Sequence, residues 1–140
     1  MDPDYRDAAQ RHWKDAGLLL AHERLANADH LFGVAAECAL KAVMLSLGMG
    51  MHEGKPAEKC HRVHIDLFWE EFLTFIGKRG SEKYMALLSS ESANPFSDWD
   101  VGQRYAHHDL FDRSMVERHA EAARLTRRCL QESLLDGACG

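Results

Sequence analysis

The stretch Leu31–Leu47 is almost continuously apolar, interrupted by only two charges, Glu37 and Lys41. A helix that is apolar around most of its circumference must be surrounded by other elements. The two charges argue against a membrane span. The sequence therefore predicts a buried central helix over about Ala28–Leu47, and the rest of the chain has to supply the elements that enclose it.

Those elements are legible as helices. Asp2-Pro3 is a helix start, with an acceptor at the N-cap and proline in the first turn. Tyr5, Ala9, Trp13, Ala16 and Leu20 follow at three- and four-residue steps, which predicts an amphipathic helix to about His22. A break at Glu23–Asn27 leads into the central helix, and Gly48, Gly50, Gly54 and Pro56 mark a loop after it. Leu67, Phe68, Phe72, Phe75 and Ile76 form the buried set of a helix over Ile65–Gly77. Ser81 can cap a short helix carrying Tyr84, Met85, Leu87 and Leu88. Next comes an irregular stretch, Ser92–Asp112, whose aromatics Phe96, Trp99 and Phe111 either cover the core or dock a second chain. Ser114 and Glu117 have capping-box spacing at the start of a last helix, and the tail Asp136–Gly140 is expected to fray. No strand pattern is present. The expected fold is one all-α domain over 1–140, an antiparallel up-and-down helical bundle with four main helices and a short accessory helix.

A chain of 140 residues with 46% apolar and 28% charged residues can bury one substantial core. Its net charge of −5 excludes broad nonspecific binding to nucleic acid or anionic membrane, though not a local basic face. The start Met-Asp-Pro-Asp-Tyr-Arg lacks the features of a signal peptide, and Cys38, Cys60, Cys129 and Cys139 form no CxxC pair. A cytoplasmic protein with free thiols is expected.

Along the central helix, Asn27, His30, Val34, Glu37 and Lys41 share one face. Glu37 and Lys41 stand i,i+4 with the acid first, the favoured order for a helical ion pair. The pair is either a rim contact of the core or, with His30, the polar lining of a cleft for an anionic ligand.

The segment Ala35-Ala36-Glu37-Cys38-Ala39-Leu40-Lys41-Ala42-Val43-Met44 resembles the second-helix signature of HEPN domains. The run Ala16–Ala28 is similar to that family's first helix and hairpin. His61 or His64 resembles the histidine before its third helix, and Arg104-Tyr105 resembles an Arg-Tyr pair ahead of its last helix. The resemblance covers roughly residues 5–135. It implies a helical bundle that binds a nucleotide, RNA or a partner protein beside its last helix, commonly as a homodimer. It also implies a role in a toxin–antitoxin pair with a small nucleotidyltransferase. His30, Glu37, Lys41, Arg104 and Tyr105 are the ligand-binding candidates.

Arg104-Tyr105-Ala106-His107-His108-Asp109 is the densest chemical segment. Arginine binds phosphate through a charge-assisted fork. A neutral histidine can take a proton from a ribose hydroxyl, and a protonated one can return it to the leaving group. Arg104 with His107 or His108 is thus the candidate set for the alternative function, a metal-independent ribonuclease. Ribonucleases of the resembled family separate arginine and histidine by four to six residues, a spacing this segment lacks. Arg113 and His119 fit by count, but on a helix their side chains diverge by about 120°. The arginines of the last helix read as a solvated face or as a surface for RNA or an acidic partner.

A third alternative is a metal-binding bundle. Glu58-Lys59-Cys60-His61 contains one Glu-x-x-His spacing, with His64 and Asp66 close behind. Di-iron bundles use such pairs on two helices, and a single copy in a loop does not reproduce that design. His107, His108 and Asp109 are consecutive and could not face one ion from a regular element. No metal and no cofactor is expected.

Overall fold

The computed structural model describes residues 1–91 and 93–139, and their side chains through Gly137. It is an all-α helical bundle: α1 (Tyr5–Ala21), α2 (Leu25–Ser46), α3 (Ile65–Lys78), a short α4 (Glu82–Leu87) and α5 (Arg113–Cys139). Among the described residues no helix is long and apolar enough to cross a membrane.

The apolar circumference of α2 has the expected consequence. It packs against α1, α5 and α3, and Phe32, Ala36, Ala39, Leu40, Val43 and Met44 are all buried. Val34 is half-buried and packed against this core. Phe68, Trp69, Phe72 and Ile76 of α3 close one side, and Val116, Ala122, Ala123 and Cys129 of α5 close another. At the far end the hydroxyls of Ser46 and Ser133 meet at 2.8 Å, tying the end of α2 to α5.

Several boundaries differ from the sequence reading for local physical reasons. Helix α1 starts at Tyr5, not Asp2-Pro3, because Asp4 is the residue whose carboxylate accepts the Asp7 N–H, at 3.0 Å. The break before α2 is shorter than expected. Glu23 adopts φ 59°, and the Arg24 N–H returns to the Leu19 carbonyl at 2.8 Å, so the chain reverses at once and α2 begins at Leu25. Asp112, rather than Ser114, caps α5, its Oδ1 accepting the Met115 N–H at 2.8 Å. Helix α5 continues through Cys139. Gly140, Ser92 and the free thiol expected at Cys139 lie outside the described residues and side chains, whereas Cys38, Cys60 and Cys129 are free.

The expectation of no strand is also corrected. Met51–His52 and Lys55–Pro56 pair antiparallel across Glu53 (φ 50°) and Gly54 (φ 76°). Two successive left-handed residues are the geometry of a tight hairpin turn. Glutamate in the place where Asn or Asp is usual hides the turn in the sequence.

The segment between α4 and α5 is irregular but not loose. Phe96 and Trp99 are buried in the core of this chain instead of presenting a docking face, whereas Phe111, also buried, lies outside that core cluster. Trp99 lies flat over Gly33 of α2, where a Cβ would stand 2.1 Å from the indole Cε2. Only hydrogen fits there. Gly33→Ala should therefore expel Trp99 and cost about 1–3 kcal/mol, the usual range for overpacking. Thermal melting with Trp fluorescence checks this, and an unchanged melting temperature with unchanged emission would contradict it.

Candidate functional site

A polar network runs through the centre of the bundle. Asp29, in the first turns of α2, and His119, on α5, have fully buried side chains, and the His119 Nδ1 lies 2.6 Å from Asp29 Oδ1. On its other edge Nε2 lies 2.8 Å from Asp98 Oδ1. A neutral imidazole donates from one nitrogen only, so two carboxylate acceptors are satisfied together only by the protonated ring. Burial works against that charge, but the Asp29 and Asp98 contacts outweigh it and His119 is held above its ordinary value. Arg118 completes the charge balance, gripping Asp98 with two nitrogens at 3.2 and 2.6 Å. That fork, with the His119 contact, holds the Asp98 carboxyl down at about 2 in spite of partial burial.

The network positions a surface segment. The second oxygen of Asp29 accepts the Gln103 side-chain amide at 2.6 Å, and its backbone carbonyl accepts the Trp99 indole N–H at 3.1 Å. Gln103 and Asp100 form a reciprocal cap on the 3-10 turn Val101–Tyr105. The chain is thus pinned to α2 up to Gln103 and projects outward from there. Arg113 pins the other end through Glu23, at 2.7 Å.

Between these anchors lies an open groove of about 880 Å³. One wall is Glu23–Asn27, the corner where α1 turns into α2. The other is Tyr105, Ala106, His107, His108, Asp109 and Phe111. Arg24, at the N-cap of α2, makes no side-chain cap. The first N–H groups of an α-helix lack intrahelical partners and carry the positive end of its dipole. Across the groove the rings of His107 and His108 stack 4.5 Å apart, both exposed. Tyr105 is 81% exposed.

The sequence candidates separate into two places. Tyr105, His107 and His108 line the groove. Arg104 lies over the Tyr105 ring, 4.9 Å from its centroid, and is not part of the groove wall. It bears instead on His30, whose pKa is lowered by burial and then by the Arg104 and His12 charges. His30 stacks on Trp99, and its Nδ1 is buried without a partner among the described residues. Glu37 and Lys41 are a rim contact of the core, the first of the two readings. They pair at 2.9 Å, Lys41 also donates to the Val63 carbonyl, and Glu37 Oε1 meets His64 Nδ1 at 3.0 Å. His30 and Lys41 stand about 16 Å apart along the helix axis.

The basic run of α5 is largely engaged. Arg113 pairs with Glu23 and Glu117, Arg118 with Asp98, and Arg124 with Glu121. His107, His108 and Asp109 do bring ligand atoms within 4.8 Å of one another, contrary to expectation, because His108–Leu110 forms a 3-10 turn instead of a regular element. Asp29, Asp98 and Gln103 were not among the sequence candidates. The one available signal was an acid, Asp29, near the start of the most apolar helix.

No protein-family model, curated protein or solved structure matches the chain.

Removing one member of a buried, hydrogen-bonded pair costs about 3–5 kcal/mol, the range expected for Asp29→Ala. The network also sets a pH window. The raised pKa of His119 contributes stability fully below its ordinary value of 6.5, and that contribution drains away as pH rises beyond it. The depressed pKa of Asp98 contributes above its ordinary 3.8 and is lost as pH falls toward about 2. The melting-temperature gap between wild type and Asp98→Asn should be widest between these limits and shrink on both sides. A gap independent of pH would contradict the network.

Proposed function

We propose that this chain is an HEPN-like module that binds the phosphate of a nucleotide or of RNA in the groove between the α1–α2 corner and residues 105–111. The observation that carries the reading is the juxtaposition of the uncapped first turn of α2 with His107 and His108 across one open groove. Free backbone N–H groups at a helix start favour an anion, and imidazoles add donors that strengthen when protonated. Exposed Tyr105, backed by Arg104, offers a face on which a base can stack. The sequence resemblance of Ala35–Met44 and of Arg104-Tyr105 to HEPN domains supports the same class. That resemblance is also the support for a homodimer, and for a nucleotidyltransferase partner in a toxin–antitoxin pair.

The ribonuclease reading rests on Arg104 acting with His107 or His108. Their nearness in sequence and the exposure of both imidazoles favour it, but Arg104 bears on His30 and stands outside the groove wall. Binding is therefore the function preferred here.

Fluorescence anisotropy with a labelled single-stranded RNA, in EDTA, tests both. The double variant His107→Ala/His108→Ala should weaken binding about ten- to hundredfold, the value of one or two charge-assisted contacts, with an unchanged melting curve. Undiminished affinity would sink the groove assignment. Cleavage of the RNA by wild type, lost in the same variant, would establish the ribonuclease instead.

A further inference from the structure

A second cluster lies away from the groove, against α3. The loop after the hairpin tightens into a 3-10 turn, Lys59–His61, which places Glu58, Cys60 and His61 on one side. Their ligand atoms all lie within 4.8 Å of one another. Glu58 Oε2 stands 3.7 Å from the Cys60 sulfur and 3.9 Å from His61 Nε2. Glu71, from α3, lines the same small cavity of about 130 Å³, outside the set of three mutually close ligand atoms.

His61 is the telling member. The residue is only 6% exposed, wedged edge-on between Phe68 and Phe75, and its Nδ1 is buried without a partner among the described residues. Neither ring nitrogen makes a hydrogen bond among the described residues. Buried histidines normally satisfy at least one. The nitrogen it turns toward the opening is the one that meets Glu58.

We infer that Glu58, Cys60, His61 and Glu71 form a binding site for a divalent zinc-like cation. Sulfur, imidazole and carboxylate oxygen are the donors that zinc accepts in tetrahedral sites, at about 2.0–2.3 Å from the metal. Donors at those distances stand about 3.3–3.6 Å from one another. The Glu58 separations of 3.7 and 3.9 Å exceed these by a few tenths of an ångström, the Cys60–His61 pair lies within 4.8 Å, and Glu71 has to swing in to complete the set. Three donors come from one turn and the fourth from α3, so the cation joins the loop to the helix. It is not the paired Glu-x-x-His design of di-iron bundles, which is why the spacing alone did not reveal it. Without a cation the arrangement is unfavourable to the thiolate: partial burial and then the two carboxylates push the Cys60 thiol up. A cation reverses this. Binding releases the thiol proton to solvent as the metal–sulfur bond forms.

Cobalt(II) is the probe, because tetrahedral cobalt–thiolate coordination absorbs where the protein does not. The full chain, stripped with EDTA, should develop thiolate-to-cobalt and visible ligand-field bands that saturate at one equivalent and vanish when zinc is added. Cys60→Ser should remove the thiolate band, and Glu71→Gln should weaken cobalt binding at least tenfold. Cys60 is exposed and Glu71 half-buried, so these variants test the site even where His61→Gln fails to fold. The variant His107→Ala/His108→Ala, lacking the other histidine cluster, should keep the band. Wild-type protein without a thiolate band, a band that survives in Cys60→Ser, or one lost with His107 and His108 would each overturn the assignment.

Discussion

A carboxylate on α2 and an imidazole on α5 meet at 2.6 Å where neither side chain reaches water, and the arrangement of the surface above depends on that contact. Burying one charge alone would be prohibitive; burying it between two acceptors, with a guanidinium balancing the second, makes the set self-consistent. Asp29 then has acceptor capacity left for Gln103 and Trp99, contacts that join those of His119 and Arg118 with Asp98 in laying residues 96–105 onto the bundle. An irregular segment with few backbone hydrogen bonds of its own gains a defined course this way. The groove exists because the segment is held at Gln103 and again at Arg113 while the chain between them bulges outward.

This arrangement separates structural polarity from chemical polarity. His119, Asp29, Glu37 and Lys41 have their hydrogen-bonding capacity directed inward. His107, His108 and Tyr105 are exposed beside a helix start that has no side-chain cap, with both imidazoles meeting Asp109 of their own turn. Asp109 stands against both imidazoles, its N–H donating to His107 Nδ1 at 3.2 Å and its Oδ1 lying 3.0 Å from His108 Nδ1, so a phosphate in the groove would have to compete with that carboxylate. The cation cluster at Glu58–His61 sits apart from both, at the junction of the hairpin loop and α3, where it would stiffen the shell and not the groove.

Periodicity revealed the helices because the core selects apolar residues at helical spacing, and α2, apolar nearly all round, had to be central. Caps were harder to read. Asp4 and Asp112 compete with nearby Asp2-Pro3 and Ser114, and the choice rests on backbone angles that the sequence does not carry. Glu53 and Glu23 at positive φ hid a hairpin and a tight corner for the same reason. Tyr105, His107 and His108 stood out as candidates because aromatic and imidazole groups clustered in a loop have few structural uses, and the structure places them along one groove. Asp29 and Asp98 escaped because long-range pairing across 90 and 21 positions leaves no local pattern. The Arg113 and His119 spacing was noticed by count, yet the fold sends the arginine to Glu23 and the histidine into the core.

His119, hydrogen-bonded at both ring nitrogens, ties α2 to the 96–105 segment as an imidazolium. Long-range proton–nitrogen NMR of the histidine rings measures it directly. At pH 6.5 the account predicts one ring whose two nitrogens both carry protons, shielded from solvent exchange and absent from the spectrum of a His119→Gln variant. A His119 ring with one bare nitrogen, or with ring protons that exchange as fast as those of His107 and His108, would contradict it.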